Sequence, residues 1–494
     1  MTLTPVWRSR LFAAGAALVA VWSSIDLAQG ELFWATFLAG TLGLFLLARL
    51  QPLPLGTLLL GIVIAGYVIG NRGFAQISLS GRFPLLPAEA ALALCGGLLL
   101  VQSAWRHELP LRRDPLNLAL LAWILAGLLR IGFDVREYGF MALRDFALVY
   151  YGAFFFIGQE IGREPRGRRF LLRALTAGCV ILLPLYLLFE RFPEFFLGTL
   201  TWRGNPIIFY KGDLAGTFLA IGAVLLFLRF EQRGGWWNVA LSLTLSGAVL
   251  LLNNRASMLA LFVATAWLAV RGRWRFAAMQ AVAGIAVAAL VLAAAAALRI
   301  SWERTPVFGV YERVVSIADP LGQRTYRGAD TFNKGDNNLY RAVWWRAVIE
   351  ETVDGNPYVG LGFGHDLAAR FVREYYPESS EEFSVRSPHN ALISIFARMG
   401  AVGLGLFLLL VALMAVRTWR AIPLGPAEAA PWCAVWALLT SACLGVVLEG
   451  PMGAVVFWTT LGLANGMNSD APAADQPTAS SAPEEASPQQ LAPV

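Results

Sequence analysis

The stretch Phe276–Leu298, FAAMQAVAGIAVAALVLAAAAAL, contains no charged residue. Crossing the hydrocarbon of a bilayer as a helix takes about 20 mostly apolar residues, with roughly 17–25 allowed. This stretch meets that length, and the same pattern returns on both sides of it. Further candidate spans lie near 11–28, 31–50, 54–70, 84–104, 115–132, 145–161, 169–190, 207–228, 236–252 and 256–270, then near 389–416, 428–447 and 451–467. Composition agrees. Of 494 residues, 57% are hydrophobic and only 15% are charged, and mean hydropathy is +0.58. Ordinary soluble domains carry about 25% charge, so 15% is too little to cover the surfaces of a soluble chain this long. A soluble enzyme on a membrane anchor is thereby excluded. The expected fold is an all-α polytopic bundle of twelve to fourteen transmembrane helices with one large helical outer loop.

Net charge is +6, but the basic residues stand at the ends of apolar runs, which argues for a membrane protein and against nucleic acid. The first span follows Arg8 and Arg10 and reads as a retained signal anchor, because more spans follow. With a cytoplasmic N-terminus, seventeen loop arginines fall inside and eight outside: Arg72, Arg82, Arg130, Arg136, Arg144, Arg191, Arg203 and Arg255. That bias predicts cytoplasmic termini, and the outer minority marks where function is sought. Four domains follow: a membrane bundle over 1–299, an outer helical loop over 300–388, C-terminal membrane helices over 389–467, and a disordered tail over 468–494 rich in Ala, Pro, Ser and Glu. In the loop, Asp336 or Asn337 is expected to cap a helix through Leu339 and Val348, with Arg341 and Trp345 one turn apart. A second helix is expected from about Asp366 to Tyr376, and Asn356–Gly364 between them reads as a Gly-rich turn. The cysteines Cys95, Cys179, Cys433 and Cys443 all sit inside apolar runs and read as small buried hydrophobes.

His389 follows Ser387-Pro388, a pattern that suits a helix N-cap and first position. It is then either a neutral imidazole able to take a proton from a hydroxyl or an interfacial polar residue closing the helix. Arg255, after Asn253-Asn254, is either an anion site at a helix N-terminus or a snorkelling charge. Arg341, beside Glu350 and Glu351, has a solvated surface arginine as its simplest reading. Arg203 and Lys211 flank Gly204-Asn205-Pro206 with Asp213 following, and Arg144-Asp145 opens a span and suggests an internal pair. Together these residues form a cationic outer surface suited to polyanionic headgroups. No D-x-D triplet, Walker A loop, H-E-x-x-H or G-x-S-x-G occurs, so metal-clamp, ATP-driven and zinc or serine hydrolase chemistry lose their usual supports.

The ordered series Asn254-Arg255-Ala256-Ser257, Arg341 with Trp345, Asn356-Pro357, Gly360-Leu361-Gly362-Phe363-Gly364, His389-Asn390, Gly400 and Gly403 resembles the O-antigen ligase and Wzy-like polymerase superfamily. The resemblance covers about 150 residues, and the first half of the chain matches only as hydrophobic spans. It implies an inner-membrane glycosyltransferase of the GT-C type with no cofactor and no metal. The implied donor is an undecaprenyl-diphosphate-linked O-antigen, transferred on the periplasmic side to lipid A–core oligosaccharide with inversion; membrane lipids are the remaining partners and nucleic acid is none. Carried onto this sequence, it makes His389 the candidate base and Arg255 and Arg341 the candidate diphosphate binders. Arg203, Lys211, Arg144, Asn390 and Trp345 are the accompanying substrate-binding candidates. Within the superfamily the alternatives are a Wzy-type polymerase, which often has two sizeable outer loops where one is legible here, and a ligase that glycosylates pilin. A transporter is the more distant alternative; it is disfavoured because the midplanes of the spans are nearly free of Asp and Glu.

Overall fold

The computed structural model describes residues 53–78, 86–107, 111–252, 254–324, 326, 329–375 and 386–467. The expected spans 11–28 and 31–50 and the tail over 468–494 lie outside these residues, as does Asn253. Helices dominate what is described. They are α1 (Leu55–Gly70), α2 (Pro87–Arg106), α3 (Pro115–Tyr138), α4 (Phe154–Arg163), α5 (Pro165–Arg191), α6 (Gly212–Arg233), α7 (Trp236–Leu251) and α8 (Arg255–Val270). After them come α9 (Arg275–Ala297), α10 (Pro306–Ile317), α11 (Ala329–Gly355), α12 (Ala369–Tyr375), α13 (Ala391–Ala421), α14 (Pro426–Ala442) and α15 (Pro451–Met467). Among the described residues, seven helical stretches are long and apolar enough to cross a bilayer, and α1, α7 and α8 are shorter apolar helices. The protein is an all-α polytopic membrane protein.

Burial sorts the helices into layers. α6 is the axis: its residues from Leu214 to Leu228 are all buried, and it packs on α5, α7, α8 and α14. α9 is the opposite case, with Phe276 and Ala295 its buried residues. A helix so apolar and so exposed is stable only where lipid replaces water. The tightest pairing joins α4 to α15. Gly158 lies against the Thr459 backbone and Gly162 against Leu463, while Gly462 and Gly466 lie against Phe155 and Gln159. Both helices therefore present a Gly-x-x-x-Gly face, which lets backbones approach where no hydrophobic effect drives helices together.

Several expected boundaries move. The span expected over 145–161 is present as one helical stretch, Phe140–Arg163, which starts earlier than expected and tightens into a 3-10 turn at Tyr151–Ala153 before α4. A small β-hairpin, Thr201–Trp202 with Asn205–Pro206, precedes α6. α11 starts at Ala329, so Asp336 and Asn337 lie inside it and are not its cap. The helix α12 is shorter than expected, because Asp366 instead accepts the Ala368 N–H at 3.0 Å and holds a turn before it. α11 and α12 share a small core of Trp344, Val348, Leu367 and Phe371, which Ala397 of α13 completes. Cys95, Cys179 and Cys433 are buried as expected, and Cys443 is half-buried.

Candidate functional site

The site is built where three helices begin. α6 opens at Lys211, whose Nζ pairs with Asp213 Oδ2 at 3.2 Å, while Asp213 Oδ1 accepts the Leu214 N–H at 2.8 Å. Asn71, buried and at φ +52°, accepts the Lys211 N–H at 3.1 Å and so fixes where the lysine leaves the backbone. α8 opens at Arg255, behind the cap Asn254, whose side chain accepts the Ser257 N–H at 3.1 Å. The Ser257 hydroxyl donates to the Asp213 carbonyl at 3.1 Å and ties α8 to α6. α13 opens behind Asn390, whose Oδ1 accepts from Leu392 and Ile393 at 3.0 and 3.3 Å. Ser387 and Pro388 are therefore not the cap and first residue of that helix. The cap is Asn390, and His389 stands outside the helix at φ +56°. A bulky residue held at positive φ costs of order 1 kcal/mol or more, a strain found where a side chain must be aimed.

α11 lies across these openings and closes a cavity of about 300 Å³ lined by Asp213, Asn254, Arg255, Asn338, Arg341, Trp345 and Leu444. Arg341 is half-buried, and its Nη1 donates to the Leu444 carbonyl at 2.9 Å. The surface reading of Arg341 is thus corrected: Glu350 pairs with Arg346 at 2.7 Å and Glu351 with His365 at 3.0 Å. Trp345 Nε1 donates to the Pro388 carbonyl at 2.6 Å, which pins the residue before His389 to α11. The Trp344 ring meets the His389 ring edge to face, with centroids 6.1 Å apart.

The field in the site is positive. Burial, then the Lys211 ammonium and the Arg341 guanidinium, push the His389 imidazole down to about 4, and Asp213 opposes them. Burial also lowers the pKa of Arg341, again against Asp213, though a guanidinium stays charged. At neutral pH the site holds a neutral imidazole beside a lysine and two arginines, with one carboxylate among them. Such a set attracts a polyanion and leaves His389 free to accept a proton. Among the described residues, no group of three or more His, Cys, Asp or Glu stands together as a metal site would require.

Of the residues singled out from sequence, Arg255, Arg341 and Trp345 line the cavity, and Lys211 and His389 lie within electrostatic reach of its members. Asn390 is spent on capping. Arg203 sits exposed at the tip of the β-hairpin, at φ +48°. Arg144 is exposed, 3.9 Å from Met141 Sδ, and does not pair with its neighbour: Asp145 pairs instead with Arg398 of α13 at 2.9 Å. Neither Arg203 nor Arg144 lines the cavity.

Sequence reading missed the clamp behind the site. The Gly-rich turn is threaded between α3 and α13. Asp134 accepts the Phe363 N–H at 2.7 Å and Asp145 the Gly364 N–H at 3.1 Å. Arg386 donates to the Gly364 carbonyl at 2.7 Å, and the Leu361 N–H reaches the Ala397 carbonyl at 2.6 Å. Gly362 has φ +97°, and a Cβ there would strike Asp134 and Arg130. Gly400 kinks α13 at φ +62° under the Tyr358 backbone. The glycines were the available signal, since only glycine fits such close, left-handed approaches.

Residues 240–408 match a family model described as O-antigen ligase. That segment holds Arg255, Arg341 and His389, while Lys211 and Asp213 lie before it. No curated protein matches the chain.

Proposed function

The chain carries a domain of the O-antigen ligase and Wzy-like superfamily, and from that premise we propose that it is an O-antigen ligase of the bacterial inner membrane. In this reading the cavity faces the periplasm and both termini are cytoplasmic. The donor is a glycan on undecaprenyl diphosphate, and the acceptor is a sugar hydroxyl of lipid A–core. The observation that carries the reading is a cavity lined by Arg255 and Arg341, with a neutral His389 within electrostatic reach of Arg341.

The chemistry follows from the charges. As the acceptor oxygen attacks the anomeric carbon, its proton passes to His389. The bond to the lipid diphosphate breaks on the opposite face, so configuration inverts. Negative charge grows on the leaving diphosphate, and Arg255, Arg341 and Lys211 are already oriented to stabilise it. Asp213 holds Lys211 and the first turn of α6 in place. α11 roofs the cavity and limits access of water to the donor. Arginines supply the charge that a divalent cation would otherwise provide.

The test is complementation in a host lacking its own ligase. Wild-type protein should restore ladders of long lipopolysaccharide, while His389→Ala and Arg255→Ala should not at equal membrane levels. Transfer in isolated membranes should survive EDTA. Full activity of His389→Ala refutes the base assignment. If the wild type fails here but lengthens lipid-linked glycan in a polymerase-deficient host, the polymerase reading replaces the ligase one.

A further inference from the structure

The far end of the bundle carries a second cationic feature that transfer does not use. α6 has 22 residues, so its two ends lie about 33 Å apart. One end is Lys211; the other is Arg229 and Arg233. There, α5, α6 and α14 enclose a cavity of about 130 Å³ rimmed by Arg168, Arg169, Arg173, Arg229 and Arg233. On the other side of α5 a cavity of about 600 Å³ shares Arg169 and Arg173 and adds Arg166. No acidic residue is among the described residues lining either one.

Arginines at one end of the spans are enough to set topology. Topology does not require them to converge from two helices on a cleft, where like charges repel one another. The cleft is also two-toned. Leu172, Leu225, Leu228 and Met467 line it beside the arginines. Apolar walls running into a basic rim at a membrane edge match one kind of ligand, a phosphate on a pair of acyl chains. We propose that this cleft binds the headgroup of an anionic phospholipid. A headgroup with two phosphates is favoured, because α5 and α6 each contribute arginines.

The experiment uses the full chain in detergent and native mass spectrometry. Probes are cardiolipin, phosphatidylcholine and inorganic pyrophosphate. Wild-type protein should retain cardiolipin at least tenfold better than phosphatidylcholine, and pyrophosphate should not displace it. The triple variant Arg169→Gln/Arg173→Gln/Arg229→Gln should lose that retention by tenfold or more. Ala427→Trp keeps every arginine and fills the cleft, so it should lose retention too. If the triple variant does not elute as a single species, Ala427→Trp alone decides. Unchanged retention in a folded variant, or equal retention of phosphatidylcholine, overturns the proposal. Displacement by pyrophosphate makes this a soluble-anion site and overturns the lipid assignment.

Discussion

With His389 as the proton acceptor, the acid limb of the pH–rate profile is fixed by what surrounds the ring. An imidazole in water titrates near 6.5, whereas burial with Lys211 and Arg341 brings His389 to about 4. The sign is that of a base whose cation is disfavoured: it stays neutral, and competent, at pH values where an ordinary histidine is protonated. At pH 5.5 about 97% of the ring is neutral with the lowered value, against about 9% with the ordinary one. The difference is roughly tenfold in rate. The assay is single-turnover glycan transfer in proteoliposomes from pH 4.5 to 8. The kcat/KM limb reports the free enzyme and should remain flat down to about pH 5. The kcat limb should lie higher, because a bound diphosphate adds negative charge that favours the imidazolium. Lys211→Ala removes one of the depressing charges and should move the kcat/KM limb up toward the ordinary imidazole range. Asp213→Asn should move it down. A limb near 6.5 in the wild type, or one that Lys211→Ala leaves in place, refutes this account of the site.

Other substitutions probe the frame. Arg398 and Asp145 are 3% and 11% exposed, so Arg398→Ala strands a carboxylate and should cost about 3–5 kcal/mol; thermal unfolding in detergent reads this, and the double variant Arg398→Met/Asp145→Leu should recover only part of it, because the Gly364 N–H then loses its acceptor. Arg341→Lys keeps a charge but loses the planar fork that reaches Leu444 and the cavity together; transfer should fall about tenfold or more with the protein still folded. Gly158→Leu should prevent α4 and α15 from meeting and abolish monodisperse protein on size exclusion, while the same change at Gly284, where a Cβ meets nothing within 4 Å, should be tolerated.

The helices were legible because their signal is local. Apolar length alone places α3, α5, α7 and α9 to within a few residues, apart from the C-terminal end of α3, where the helix runs on to Tyr138 through Asp134 and Arg136. The early start of the span at Phe140 was not legible, because Arg144 and Asp145 interrupt the apolar run there. The site was half legible. Arg255, Arg341 and His389 carry an ordered pattern, but Asp213, Asn338 and Leu444 join them only through folding. Ser387-Pro388 before His389 imitates a helix start, but the competing cap, Asn390, accepts two backbone bonds and wins. Arg144-Asp145 shows the same limit. Adjacent opposite charges suggest a pair, yet Asp145 turns inward to Arg398, hundreds of residues away, where burial makes a partner obligatory.

That buried pair explains how a site made of loop ends keeps its geometry. Arg341 and His389 sit on segments joined by the Gly-rich turn and the stretch before α13, and neither segment has a large core of its own. Their positions are set instead by charges on membrane helices. Asp134 of α3 and Asp145 grip the backbone of the turn, and Arg398 of α13 holds Asp145. The grip acts on N–H groups, and it is possible because the glycines of the turn let its backbone come this close to α3. It is worth more in a low-dielectric setting than on a wet surface. Trp345 then carries that order to Pro388, and so to the strained His389, in a single hydrogen bond. Trp345→Phe removes this bond and leaves the aromatic bulk. It should lower kcat with little change in KM, because the arginines still bind the diphosphate while the base loses its aim. A rise in KM with kcat preserved would place Trp345 in donor binding and break this link between clamp and base.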